Sequence, residues 1–137
     1  MIDVKERHAY WWNFLLERVW VPEDFNREIP EVRLTTRLSR TAGRANCVWA
    51  EYNLNFVLQE GDKYDETICH EVCHCFANRL VRWTKHGSLW AYIYNEVCAA
   101  TRGRYHSYSK PVKTEAVEAI KEMMRLQKKI AACKNQE

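Results

Sequence analysis

The first apolar positions of the chain recur every three or four residues. Ala9, Trp12, Leu16 and Val19 form one stripe over Asp3 to Trp20, with Trp11, Leu15 and Trp20 beside it. That period predicts a helix with one face against a core, closed by Pro22. The period then shortens to two: Val32, Leu34 and Thr36 alternate with Arg33, Thr35 and Arg37, a strand pattern. Gly43 marks a turn, and two further short strands are predicted around residues 45–50 and 52–57. Three consecutive strands on short connections predict an antiparallel meander. From Lys63 the helical period returns, with Asp65 as cap and Ile68, Val72, Cys75, Phe76 and Leu80 on one face. After the interruption "KHG", the run "SLWAYIYNEVCAATRG" reads as another helix, ending at Gly103. A last helix from Thr114 to Ala132 carries Val117, Ile120, Met124, Gln127 and Ala131 as its stripe. The predicted order is αβββααα, an α+β fold.

A chain of 137 residues is sized for one domain around a single core. No apolar run reaches the roughly 18 residues of a membrane span, so no membrane partner is expected. The start "MIDVKERHAYWWNF" mixes charges with aromatics and has no apolar signal region. Of six cysteines (47, 69, 73, 75, 98 and 133), three fall within seven residues of one predicted helix, where spacings of two and four suit disulfides poorly. Reduced thiols are therefore expected, in a reducing, cytoplasmic compartment (the host's, if the source is viral). The net charge of +3 is unevenly placed. Residues 101–137 hold nine Lys/Arg against four Asp/Glu, while residues 1–100 hold twelve against fourteen. This divides the chain into a body, residues 1–109, and a basic helix, residues 110–137. The excess fits a nucleic acid or an acidic protein, and equally the solvated side of a helix.

The stretch "HEVCH", residues 70 to 74, brings chemistry into the picture. Four residues advance a helix by about 400°, so His70 and His74 share one face, one turn apart. Two imidazoles so placed can reach one zinc ion, with Glu71 beside the open coordination position. There a carboxylate can take a proton from an attacking water and pass it to a leaving amine. Hydrolysis needs a Lewis acid and a proton shuttle, and the motif offers both.

A catalytic zinc also needs a third protein ligand. The candidates are His86, His106, Glu96 and a cysteine; a histidine six residues after His74 is absent, because position 80 is Leu. A helix unbroken to Trp83 would carry the chain roughly 14 Å past His74 and leave three residues to return. Use of His86 therefore predicts that the helix ends or distorts around Asn78 to Val81, with Gly87 permitting the turn that follows. A rival site would use Cys69 and Cys73, spaced by four, with Cys75 and Cys47 as a closed structural zinc centre. No CxxC knuckle occurs in the chain, and buried free thiols that pack as small apolar groups are the stronger reading.

The segments "VRLTTRLSRTAGRA", "YNLNF" and "TICHEVCHCFANRLVRWTKHGSLW" together resemble the SprT-like (Spartan-type) family of zinc metalloproteases. The likeness covers about residues 30–100, the specific part being the HExxH with its distant His-Gly. It implies an extended strand at "YNLNF", zinc held by His70, His74 and His86, and Glu71 as general base. It also implies protein substrates bound or crosslinked to DNA. Two departures stand out. The tail has only Cys133 and no CxxC, so the zinc ribbon of many relatives is replaced by a basic helix. The gap from His74 to His86 is also short for the family.

Two functions follow. One is a zinc peptidase, whose oxyanion donor would come from Tyr92, Tyr94, Arg104, Tyr105 or His106. The other is a non-catalytic binding or assembly protein in which zinc only holds the fold. For DNA, the candidate phosphate contacts are Arg102, Arg104, Lys110, Lys113, Lys121, Arg125, Lys128 and Lys129. Trp11, Trp12 and Trp83 are candidates for stacking on bases. The sequence fixes no oligomeric state.

Overall fold

The computed structural model describes residues 1–37, 40–80, 88–101, 121–122, 125 and 129. Helix α1 spans Val4–Arg18. Asp3 caps it: its carboxylate accepts the Glu6 N–H at 3.1 Å, satisfying one of the orphan donors of a first turn, and its carbonyl accepts the Arg7 N–H at 3.0 Å as the first bond of the helix. The buried face is Val4, His8, Trp11, Trp12 and Leu15, one residue back from the predicted stripe. Aromatic residues lie on several sides of this helix, so spacing alone does not select the face. His8 joins it because both ring nitrogens are satisfied. Nε2 donates to the Pro30 carbonyl at 2.8 Å, and Nδ1 accepts from the Tyr52 hydroxyl at 2.7 Å.

The sheet orders its strands β1 (Glu31–Thr35), β3 (Trp49–Asn53), β2 (Gly43–Ala45). β2 and β3 form an antiparallel hairpin with Gly43 opposite Tyr52, but β1 pairs with β3 in parallel, Thr35 opposite Asn53. The predicted meander is therefore corrected to a mixed sheet. Both the end of β1 and the start of β2 meet the same end of β3, on opposite sides. The two therefore lie about two strand spacings apart, roughly 10 Å. The central place falls to β3, whose Ala50 and Tyr52 are fully buried.

The strand expected over 52–57 is also corrected: β3 ends at Asn53 and helix α2 spans Leu54–Glu60. The Asn53 side chain accepts the Asn55 N–H at 3.0 Å, a local cap that wins over the alternating pattern. Gly61, at φ +59°, stops α2 in a conformation that only glycine adopts readily. A 3-10 turn over Gly61–Tyr64 leads into α3, Asp65–Leu80.

α3 is the central helix. Ile68, Val72, Cys75 and Phe76 are buried as predicted, with Phe76 against Trp12 and Phe25 at ring-centroid distances of 5.2 and 5.1 Å. Its first residue, Asp65, takes both arms of the Arg7 guanidinium (2.8 and 3.0 Å) and the Trp11 indole N–H (3.2 Å). This clamps α1 to the end of α3 where the helix dipole favours an anion. Near the other end, Arg79 donates to the carbonyls of Cys47 (2.6 Å), Asn26 (2.9 Å) and Glu28, and its guanidinium lies 4.7 Å from the Trp12 ring centre. Helix α4, Ser88–Ala100, packs alongside through the fully buried Trp90, Ile93 and Val97. Cys69, Cys73, Cys75 and Cys98 are free thiols in this core, and Cys47 is free and exposed. Among the described residues no helix is long and apolar enough to cross a membrane.

Candidate functional site

β2 lies along α3 in the same direction. At one end the Tyr64 hydroxyl donates to the Ala42 carbonyl at 2.5 Å; at the other, Arg79 holds Cys47. Midway the two elements nearly touch. A Cβ on Gly43 would stand 3.1 Å from Cγ of Glu71 and 3.1 Å from the Glu51 carbonyl oxygen. Glycine lets the strand come this close without displacing a neighbour, where a side chain would need one to give by a few tenths of an ångström. Between them opens a cleft of about 1020 Å³, walled by residues 41–46 on the strand side and by Glu66, Thr67, His70, Glu71, His74 and Asn78 on the helix side. β2 pairs only with β3 among the described residues, so its other edge faces this opening.

His70 and His74 project into the cleft with their Nε2 atoms 3.1 Å apart. Two nitrogens bound to one tetrahedral zinc, each at about 2.0–2.1 Å, stand about 3.3 Å apart. The pair is thus close to chelating geometry without rearrangement. Glu71 is buried, with Oε1 3.9 Å from His70 Nε2 and Oε2 without a hydrogen-bond partner. Burial pushes this carboxyl up to about 8, because the charged form has lost its water. An orphaned buried oxygen beside two converging imidazoles suits a divalent cation. Among the described residues, His70, Glu71 and His74 are the one group able to hold a metal, their ligating atoms all within 4.8 Å.

The other sequence candidates separate clearly. Glu96 is exposed on α4 and outside the cluster. No described cysteine joins it: Cys69, Cys73, Cys75 and Cys98 lie in the core, where burial raises Cys69, Cys75 and Cys98 and so keeps them as thiols. Tyr94 lines the cleft, its hydroxyl donating to Glu66 at 2.9 Å; Tyr92 is half-buried beside it on α4. Trp11 and Trp12 are core residues, 3 and 0% exposed, which removes them as base-stacking groups. His86, Trp83, Arg102, Arg104, Tyr105, His106, Lys110, Lys113 and Lys128 lie outside the described residues, as does the predicted end of the helix before Trp83 beyond Leu80. Of the tail's cations, Arg125 pairs with Glu122 at 2.9 Å, the Lys121 ammonium lies 5.5 Å from the Tyr92 ring centre, and Lys129 is exposed.

Sequence reasoning missed three contributors. Gly43 was read as a turn residue and is a close approach. Glu66, four residues before His70, gave a signal in its spacing, since it shares the histidine face. Trp90, four before Tyr94, lies against both histidine rings, at 4.7 Å from His70 and 5.1 Å from His74 between centroids. A model of the SprT-like family matches residues 7–115, most of the chain. No curated protein and no solved structure gives a significant match. The chain belongs to the SprT-like family.

Proposed function

We propose that this SprT-like chain is a zinc-dependent peptidase with Glu71 as its general base. The observation that carries the reading is the convergence of two imidazole Nε2 atoms, 3.1 Å apart, beside a buried carboxylate with an unpartnered oxygen. His70 and His74 are two of the ligands, and His86, by the family resemblance, is the third. When bound, zinc supplies a Lewis acid for the scissile carbonyl and acidifies water next to it. Glu71 takes the proton of the attacking water and delivers it to the leaving amine. Its buried surroundings make it a stronger proton acceptor than an ordinary carboxylate. The edge of β2 away from β3, unpaired among the described residues, offers backbone N–H and C=O groups along which an extended peptide can add as a strand, its scissile bond beside Gly43 and Glu71.

One zinc per chain is expected in purified protein, measured by elemental analysis, with hydrolysis of an unstructured protein substrate. His70→Ala and His74→Ala should each lose both. Zinc retained in the two variants would overturn the assignment. Substrates associated with DNA are the class that the resemblance adds. The tail's basic excess supports it, and the salt dependence of DNA binding in a Lys121/Arg125/Lys128/Lys129 charge-reversal variant tests it. The rival reading, zinc as a purely structural element, expects a closed set of four protein ligands. Here the histidines face a cleft open to solvent.

A further inference from the structure

This inference rests on the zinc reading and concerns what keeps the two imidazoles converged. A histidine ring turns broadly about its last side-chain bond, so two ligands four residues apart need something to hold them. Trp90, wholly buried on α4, touches both. Its ring is nearly parallel to His74, at 22°, and tilted at 59° against His70, and its indole N–H points to the His70 carbonyl at 3.4 Å. Tyr94, one turn further along α4, stacks on Trp90 at 5.0 Å and 10° and is tied through its hydroxyl to Glu66 at 2.9 Å. Glu66, His70 and His74 lie four apart on one face of α3, and Trp90 and Tyr94 four apart on one face of α4. The two faces meet as a clasp: carboxylate, phenol, indole and imidazoles in continuous contact.

We propose that Trp90, backed by Tyr94, is a positioning residue that limits rotation of the His70 and His74 rings and thereby sets the affinity of the site for zinc. A flat, rigid indole excludes ring rotations that a flexible side chain of similar volume permits. Replacing groups that orient metal-binding histidines weakens metal binding by about 10–100-fold, and the same range applies here.

The test uses the full chain and zinc alone, in competition with a chelating dye. Trp90→Met fills space without a plane, and should weaken zinc by about 10–100-fold. Trp90→Phe restores a ring and should stay within about 3-fold of wild type, on the same reasoning. Cobalt(II) in place of zinc gives a second readout: its visible bands should keep tetrahedral intensity in the Phe variant and lose it in the Met variant. Thermal stability of the metal-free forms is measured beside these. If Met binds zinc as tightly as wild type, or if both variants lose affinity only in proportion to lost stability, Trp90 merely packs and the proposal falls. Should Trp90→Met fail to fold, Tyr94→Leu carries the test. It should weaken zinc severalfold where Tyr94→Phe does not, and equal affinity in the two overturns the proposal. Wild type that takes up no zinc would instead sink the peptidase reading itself.

Discussion

Asp65 and Glu71 are both buried carboxylates on α3, six residues apart, in opposite surroundings. Asp65 receives two bonds from Arg7 and one from Trp11. Glu71 has the Gly43 backbone against its stem and an oxygen with no partner. Burial is the same; provision is not. A carboxylate supplied with donors holds a fold together, whereas one left short of them is kept for something that arrives later. Among the histidines, His8 is bonded at both nitrogens within the core, whereas the Nε2 atoms of His70 and His74 converge in the cleft, 3.1 Å apart.

The largest effect expected from breaking this comparison is in catalysis. Glu71→Gln should lower the rate of peptide hydrolysis by about 10²–10⁴-fold and keep bound zinc. Its thermal stability should not fall, because Gln matches the shape of a carboxyl that burial already holds toward its neutral form. Lost zinc or a lowered melting temperature would make Glu71 a structural group like Asp65. Asp65→Ala should do the reverse. It removes the carboxylate that accepts from Arg7 and Trp11, and urea unfolding should show about 2–3 kcal/mol lost. That lies below the range for a fully buried pair, since Arg7 is about one-third exposed. Zinc affinity of the folded fraction should be unchanged.

Gly43→Ala sharpens the comparison from the strand side. The added methyl meets both the Glu51 carbonyl and Glu71, so the carboxylate must shift. A fall in kcat of about 10-fold with KM held is the expected outcome; a KM change alone would show that the strand, not Glu71, had moved. The smallest effect concerns His8. Burial holds its ring neutral, below the ordinary 6.5. The unfolded chain takes up that proton first as pH falls, so the contribution of His8 is intact above about 6.5 and is lost as pH drops through that value toward the lower folded one. His8→Gln should flatten this acid limb, by at most about 1.4 kcal/mol per pH unit, in stability curves measured from pH 7 to 5. Curves that stay parallel would mean that His8 takes up its proton alike in the folded and the unfolded chain.

Elements with one strong local signal were legible in the sequence. The face of α3 was clear from Ile68, Val72, Cys75 and Phe76, and the histidine pair from its spacing of four. What escaped depended on partners distant along the chain. The parallel pairing of β1 with β3 leaves no trace in an alternation that suits either direction. Asn53 reads equally as strand residue or cap until its carbonyl amide meets the Asn55 N–H. The stripe of α1 was misplaced by one residue because the burial of His8 is decided by Pro30 and Tyr52, 22 and 44 residues away. In the site, "HEVCH" announced itself. Gly43 and Trp90 did not, since each acquires its role only from what the fold sets beside it, and Glu66 offered only its spacing of four from His70.

Arg79 has a consequence for when this protein can act at all. The carbonyls it gathers belong to residues 53, 51 and 32 positions earlier, in the segments that lead into β1 and β3. Each contact closes a long loop and costs chain entropy before it returns any bonding. Both segments are therefore secured only once α3 is in place, and its loss frees them together, as one cooperative unit of opening. A nascent chain that has emerged only through the hairpin has a strand edge but neither histidine of the candidate metal site, which comes into place with α3 itself.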